Sequence, residues 1–146
     1  MKLLIIFLLV PVLALADPVK TLASKNATLR DATGRISATS NSNGTTTTFR
    51  DAQGRISGSA SESTRGNTTF RDAQGRISGS QSVHGGSATL RDASGRISGT
   101  SSTSSSGATT YRDASGRIEG SSSISGNTIT YRDASGRITG TASVKK

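Results

Sequence analysis

Arginine and aspartate are the residues of this chain whose types and spacing could do chemistry. Twelve of the thirteen arginines lie in six copies of one octapeptide, [Leu/Phe/Tyr]-Arg-Asp-Ala-x-Gly-Arg-Ile, at positions 29–36, 49–56, 70–77, 90–97, 111–118 and 131–138. They are Arg30 and Arg35, Arg50 and Arg55, Arg71 and Arg76, Arg91 and Arg96, Arg112 and Arg117, and Arg132 and Arg137. Guanidiniums repeated at a fixed period on one face would make a cationic grid. Such a grid attracts polyanions by charge alone, among them acidic polysaccharide, lipopolysaccharide and extracellular DNA. The competing role is to keep a sheet soluble and to blunt its edges.

The same copies carry Asp31 and Gly34, Asp51 and Gly54, Asp72 and Gly75, Asp92 and Gly95, Asp113 and Gly116, and Asp133 and Gly136. This is turn chemistry. An aspartate accepts from backbone N–H groups two residues on, and glycine takes a positive φ without steric cost. Residues present six times read as structural turn residues, and each Asp is placed to pair with a neighbouring Arg.

No other constellation suggests catalysis. His84 is the sole histidine and there is no cysteine, so no transition-metal site can be assembled. No serine sits in a Gly-x-Ser-x-Gly elbow. Glu62 and Glu119 occupy non-equivalent places and form no visible acid/base pair. The sequence therefore predicts no enzyme, no metal and no cofactor. Aromatics are only 3% of the chain, too few for base stacking, so sequence-specific nucleic-acid recognition is not expected.

The elements that must position these residues follow from the period. The Asp residues are spaced 20, 21, 20, 21 and 20 apart, which marks a tandem repeat. Ahead of each octapeptide runs a Thr-rich stretch such as Thr45–Phe49, and behind it Arg-Ile-Ser-Gly-Ser or a variant. β-branched and aromatic residues suit a pleated strand. A second turn falls at Gly44, Gly66, Gly85-Gly86, Gly107 and Gly126. Two turns per period leave about six residues for each strand, an ordinary length. No apolar period of 3.6 is present, so almost no helix is expected after the first residues.

These features predict an all-β fold of six tandem strand-turn-strand repeats of about 20 residues. One arrangement is a β-hairpin array, open or radially closed into a barrel. The alternative is a two-sided β-solenoid, in which equivalent residues stack at about 4.8 Å. Two Arg and one Asp per repeat favour the hairpin array, because its equivalent residues lie two strand spacings apart. An even, two-residue turn would put Leu29, Asp31 and Ile36 on one face and Arg30, Arg35 and Ser37 on the other. An Ala-x-Gly loop with a bulge would instead split Leu29 from Ile36. The even turn is the expectation, since it gives one apolar face and one arginine face. Terminal strands would then expose edges open to pairing across molecules.

Composition supports a thin core. The chain is 31% hydrophobic and carries a formal charge of +9. A disordered chain fits that composition too, but not the strict turn spacing. Lys2, the apolar run Leu3–Val10 with Val12 and Leu13, and Ala14-Leu15-Ala16 have the pattern of a signal peptide. That gives residues 1–16 as signal peptide, 17–27 as a lead-in and 28–146 as one six-repeat domain. The apolar run is shorter than the roughly 20 residues of a spanning helix, so no membrane span is expected after cleavage. The product would be secreted, to the periplasm, cell surface or medium.

Tyr131-Arg132-Asp133-Ala134-Ser135-Gly136-Arg137-Ile138 and its copies resemble the YD repeats of RHS and teneurin-type proteins. Those repeats place an aromatic directly before Asp, whereas here that position is Arg and the apolar residue stands one place earlier. The resemblance implies a non-enzymatic extracellular β scaffold, sometimes carbohydrate-binding. In plan, though not in motif, the chain is also similar to secreted curlin-type repeat subunits. The function expected is structural or adhesive at the cell surface, with self-association. The alternative is a glycan or polyanion binder acting through the arginines.

Overall fold

The computed structural model describes residues 26–145; the predicted signal peptide and most of the lead-in lie outside them. Twelve strands follow one another: β1 Ala27–Asp31, β2 Ile36–Asn43, β3 Thr46–Asp51, β4 Ile56–Glu62, β5 Asn67–Asp72, β6 Ile77–His84, β7 Ser87–Asp92, β8 Ile97–Thr103, β9 Thr109–Asp113, β10 Ile118–Ser125, β11 Thr128–Asp133 and β12 Ile138–Val144. Each pairs antiparallel with its predecessor, and β12 returns to pair with β1, closing a barrel. The hairpin array is thus radially closed. Every ladder is antiparallel, whereas a solenoid would stack equivalent strands in parallel.

Closure corrects one expectation. Ala27 to Asp31 ladder against Val144 to Gly140, so the terminal strands leave no edge for pairing across molecules.

A second correction concerns the octapeptide turn. Asp31 N–H donates to the Arg35 carbonyl at 2.9 Å, and Gly34 N–H to the Asp31 carbonyl at 3.0 Å. This is a type I turn followed by a glycine bulge, and all six copies share it. The reason is local. A two-residue I′ turn would force the x residue, here Thr, Gln or Ser, to positive φ; II′ would need glycine first. In the observed turn only glycine is left-handed, with φ between 81° and 84°, and among the described residues no non-glycine residue has positive φ. Arg30 then faces Ile36 and Leu29 faces Ala38, which makes Ser37 a further bulged residue. Leu29 therefore points inward and Ile36 outward. All six motif isoleucines are 45–52% exposed, so half of the expected apolar core lies on the outer wall.

The spacing of 20 and 21 has its cause at the opposite end. There Gly44-Thr45, Gly85-Gly86 and Gly126-Asn127 make two-residue turns whose first glycine has φ near 60°, the II′ geometry. The turns Ser63–Asn67 and Ser104–Ala108 instead repeat the type I turn with a glycine bulge, one residue longer. The structural period is accordingly two repeats, or 41 residues.

What fills the interior follows from the stagger. Ala38 pairs with Leu29 on one side and Asp51 on the other, and Asp51 lies two residues beyond Phe49, the counterpart of Leu29. Two residues per repeat give twelve over six repeats, equal to the strand number. With that shear, inward side chains stack in layers drawn from alternate strands. From the octapeptide end the layers are Ala38, Gly58, Gly79, Gly99, Gly120 and Gly140; then Leu29, Phe49, Phe70, Leu90, Tyr111 and Tyr131; then Ser40, Ala60, Gln81, Ser101, Ser122 and Ala142; then Ala27, Thr47, Thr68, Ala88, Thr109 and Ile129. All are buried. The layer of bulky side chains lies between layers of mostly small ones, and its members pack in separate clusters, Leu29 with Tyr111 and Tyr131, and Phe49 with Phe70. Close approach favours glycine at the other five positions of the Ala38 layer: a Cβ on Gly58 would stand 2.5 Å from the Arg71 carbonyl oxygen.

The outer wall alternates with this core. Its cross-strand pairs are Thr28–Thr39, Thr48–Ser59, Thr69–Ser80, Thr89–Thr100, Thr110–Ser121 and Thr130–Thr141. The wall is a belt of hydroxyls, the reverse of a lipid-facing barrel with its apolar exterior.

Candidate functional site

The six octapeptide turns all lie at one end of the barrel, where they form a crown. Each Asp is its organising group. Its Oδ1 accepts the N–H of the x residue at 2.8–2.9 Å and that of the second Arg at 2.9–3.1 Å. The two arginines of each motif have different duties. The first donates from Nη1 to the carbonyl of its own turn glycine: Arg30 to Gly34 at 2.8 Å, and the equivalents to 3.0 Å. It lies on the outer wall opposite the exposed isoleucine, as Arg30 does Ile36. The second, opposite Asp, stands at the rim on the parity of the inner face. The single arginine face expected from an even turn is thus two concentric rings.

The x residue decides the state of the second arginine. Where x is Gln53 or Gln74, Arg55 and Arg76 bond their aspartates through Nε at 3.0 and 2.9 Å. Where x is Thr or Ser, its hydroxyl takes Oδ1 at 2.6–2.7 Å. Arg35, Arg96, Arg117 and Arg137 then have no ion pair among the described residues. The signal for this division is the residue type at x, and it gains its meaning only from the turn geometry.

Hydrogen bonding holds all six carboxyls below their ordinary value of 3.8. At Asp31, Asp92, Asp113 and Asp133 the largest cause is the hydroxyl of the x residue. At Asp51 and Asp72 desolvation is the largest influence and pushes upward. It is outweighed by the backbone and side-chain bonds from Arg55 and Arg76. The crown therefore stays fully ionised at neutral pH.

The charge is one-sided. Twelve arginines against six aspartates and Glu119 leave +5 at the octapeptide end. Among the described residues the other end has Arg65 and Lys145 against Glu62, a balance of +1. His84 ends β6 there, exposed and far from the crown.

No protein-family model and no curated protein matches the chain. Among solved structures, an alternansucrase in complex with isomaltononaose aligns with 73% of this chain at 18% identity and a TM-score of 0.19. The chain spans 12% of that protein's length.

Proposed function

We propose that the chain is an exported, non-enzymatic binding module that holds polyanions, acidic polysaccharide or lipopolysaccharide, through its arginine crown. An adhesive role at the cell surface follows from that binding and needs no strand-edge assembly. The observation that carries the reading is the pairing pattern. Six first arginines are fixed on turn carbonyls, and four second arginines make no close ion pair among the described residues, though each still feels the charge of its own aspartate. The barrel fixes the spacing of all twelve backbones, and the six first arginines are already ordered, so the side-chain order created on binding is confined to the second arginines. The repeated motif, like the YD repeats it resembles, supports an extracellular scaffold.

The test is heparin binding by the mature protein, residues 17–146. Replacing Arg35, Arg96, Arg117 and Arg137 together by Gln removes four exposed charges. At a few tenths of a kcal/mol each, affinity falls about tenfold. These side chains hold no turn together, so the circular dichroism spectrum stays unchanged. Equal affinity in the variant, or binding insensitive to salt, would overturn the reading.

A further inference from the structure

We infer that the outer wall of β1, β2 and β3, where it borders the β1–β12 seam, is a second binding site, selective for a short anionic saccharide. It shares only Arg50 with the crown and does not rest on the crown reading.

β12 and β1 are the one neighbouring pair that no turn connects. Their ladder runs on past the strands, with Lys145 N–H donating to the Asn26 carbonyl at 2.8 Å. The Asn26 side chain reaches across to β2, its Oδ1 accepting the Ser42 N–H at 3.0 Å. Beside this bridge a groove of 450 Å³ crosses the outer wall of β1, β2 and β3. Its sides are Thr28, Thr39, Asn41 and Thr48, with Arg50 toward one end and Lys145 at the other. Among the described residues, no acidic and no aromatic one lines it.

Each feature narrows the ligand. Hydroxyls and an amide that both donate and accept match the hydroxyls of a sugar. With no aromatic lining, a neutral sugar has no ring face to rest on, so charge must supply the rest. Two cations at opposite ends fit carboxylate or sulfate groups at both ends of one ligand. The guanidinium of Arg50 is already oriented, since its Nη1 is held on the Gly54 carbonyl at 2.9 Å. The volume lies toward the lower end of small-ligand sites, about 300–1,000 Å³, and suits one or two rings. The other repeats carry the hydroxyl pairs but neither Asn41 nor Lys145, so the site occurs once.

The experiment is an NMR titration of ¹⁵N-labelled mature protein with a sulfated, uronate-containing heparin disaccharide. Lactose is the neutral control. Saturable shifts at Thr28, Thr39, Asn41 and Thr48, absent with lactose, are expected. Lys145→Gln weakens the disaccharide about threefold or more, and Thr39→Val does likewise. The exposed Lys145 makes its variant safe for folding even if Thr39→Val is not. Shifts spread evenly over the six octapeptide turns, lactose binding of equal strength, or no shift would overturn the seam site. The quadruple crown variant separates the two readings. Seam shifts that persist while long-chain heparin is lost uphold both. Heparin binding that persists in that variant, with normal seam shifts, rejects the crown alone.

Discussion

Two tyrosines at equivalent positions should respond in opposite directions to loss of their hydroxyls. Tyr111 Oη and Ser122 Oγ share a buried hydrogen bond of 2.6 Å. Tyr131 is one repeat on, and the residue equivalent to Ser122 is Ala142, which has no hydroxyl. Accordingly Tyr131 Oη is buried with no partner among the described residues. Burial pushes the pKa of both phenols up, so neither ionises in the working range. Tyr111→Phe orphans Ser122 Oγ, a cost of about 1–3 kcal/mol. Tyr131→Phe removes an orphan and should be neutral or stabilising by about 1 kcal/mol. For a domain of this size 1 kcal/mol moves Tm by about 4 °C, so the variants should straddle the parent by roughly 4–12 °C below and up to 4 °C above. Thermal and urea unfolding of residues 17–146 read this directly. Ala142→Ser, which supplies the missing partner at a site whose equivalent already holds serine, should also stabilise. Equal destabilisation by both Phe variants would refute the layered core from which the argument is made.

Gly58→Ala should destabilise by about 1–3 kcal/mol, seen as a lower urea midpoint, because its Cβ would meet the Arg71 carbonyl oxygen at 2.5 Å. Ala38, at the one ring position with a Cβ, should by contrast accept glycine at a cost of about 1 kcal/mol or less. Gln53→Ser with Gln74→Ser should release Arg55 and Arg76 from their aspartates and raise heparin affinity about twofold or more, measured by calorimetry. Acid should act through the six aspartates. Their pKa values are lower folded than unfolded, so their stabilisation is complete above the unfolded value and lost as pH falls through the folded one. The unfolding midpoint should therefore hold from pH 7 to about 5 and drop below about 4.

The hairpins were legible because their determinants are local. Asp31 accepts the Thr33 N–H at 2.8 Å as its turn chemistry requires, and Gly34, Gly44 and Gly66 take the positive φ that only glycine takes cheaply. Facing was misread because it depends on counting. One residue more in the loop, and another at Ser37, set whether Ile36 points in or out. The signal was present: Thr, Gln and Ser at x are poor in the left-handed region an even turn demands. Closure was one of the two forms the sequence left open for the hairpin array, and it could not choose between them, since the β1–β12 ladder joins residues over a hundred positions apart and no motif marks it. The split between tied and free arginines depended in turn on the bulged turn, through the hydroxyl or amide at x.

Closure into a barrel with this register carries everything above, and the absence of cysteine makes it directly testable. Thr28 and Ser143 face each other across the β1–β12 ladder, while Ala142 is one residue off and points into the core. Thr28→Cys with Ser143→Cys should oxidise to an intramolecular disulfide in the folded monomer, and Thr28→Cys with Ala142→Cys should not. A cross-link only between molecules, or equal yields from the two pairs, would contradict the closed barrel.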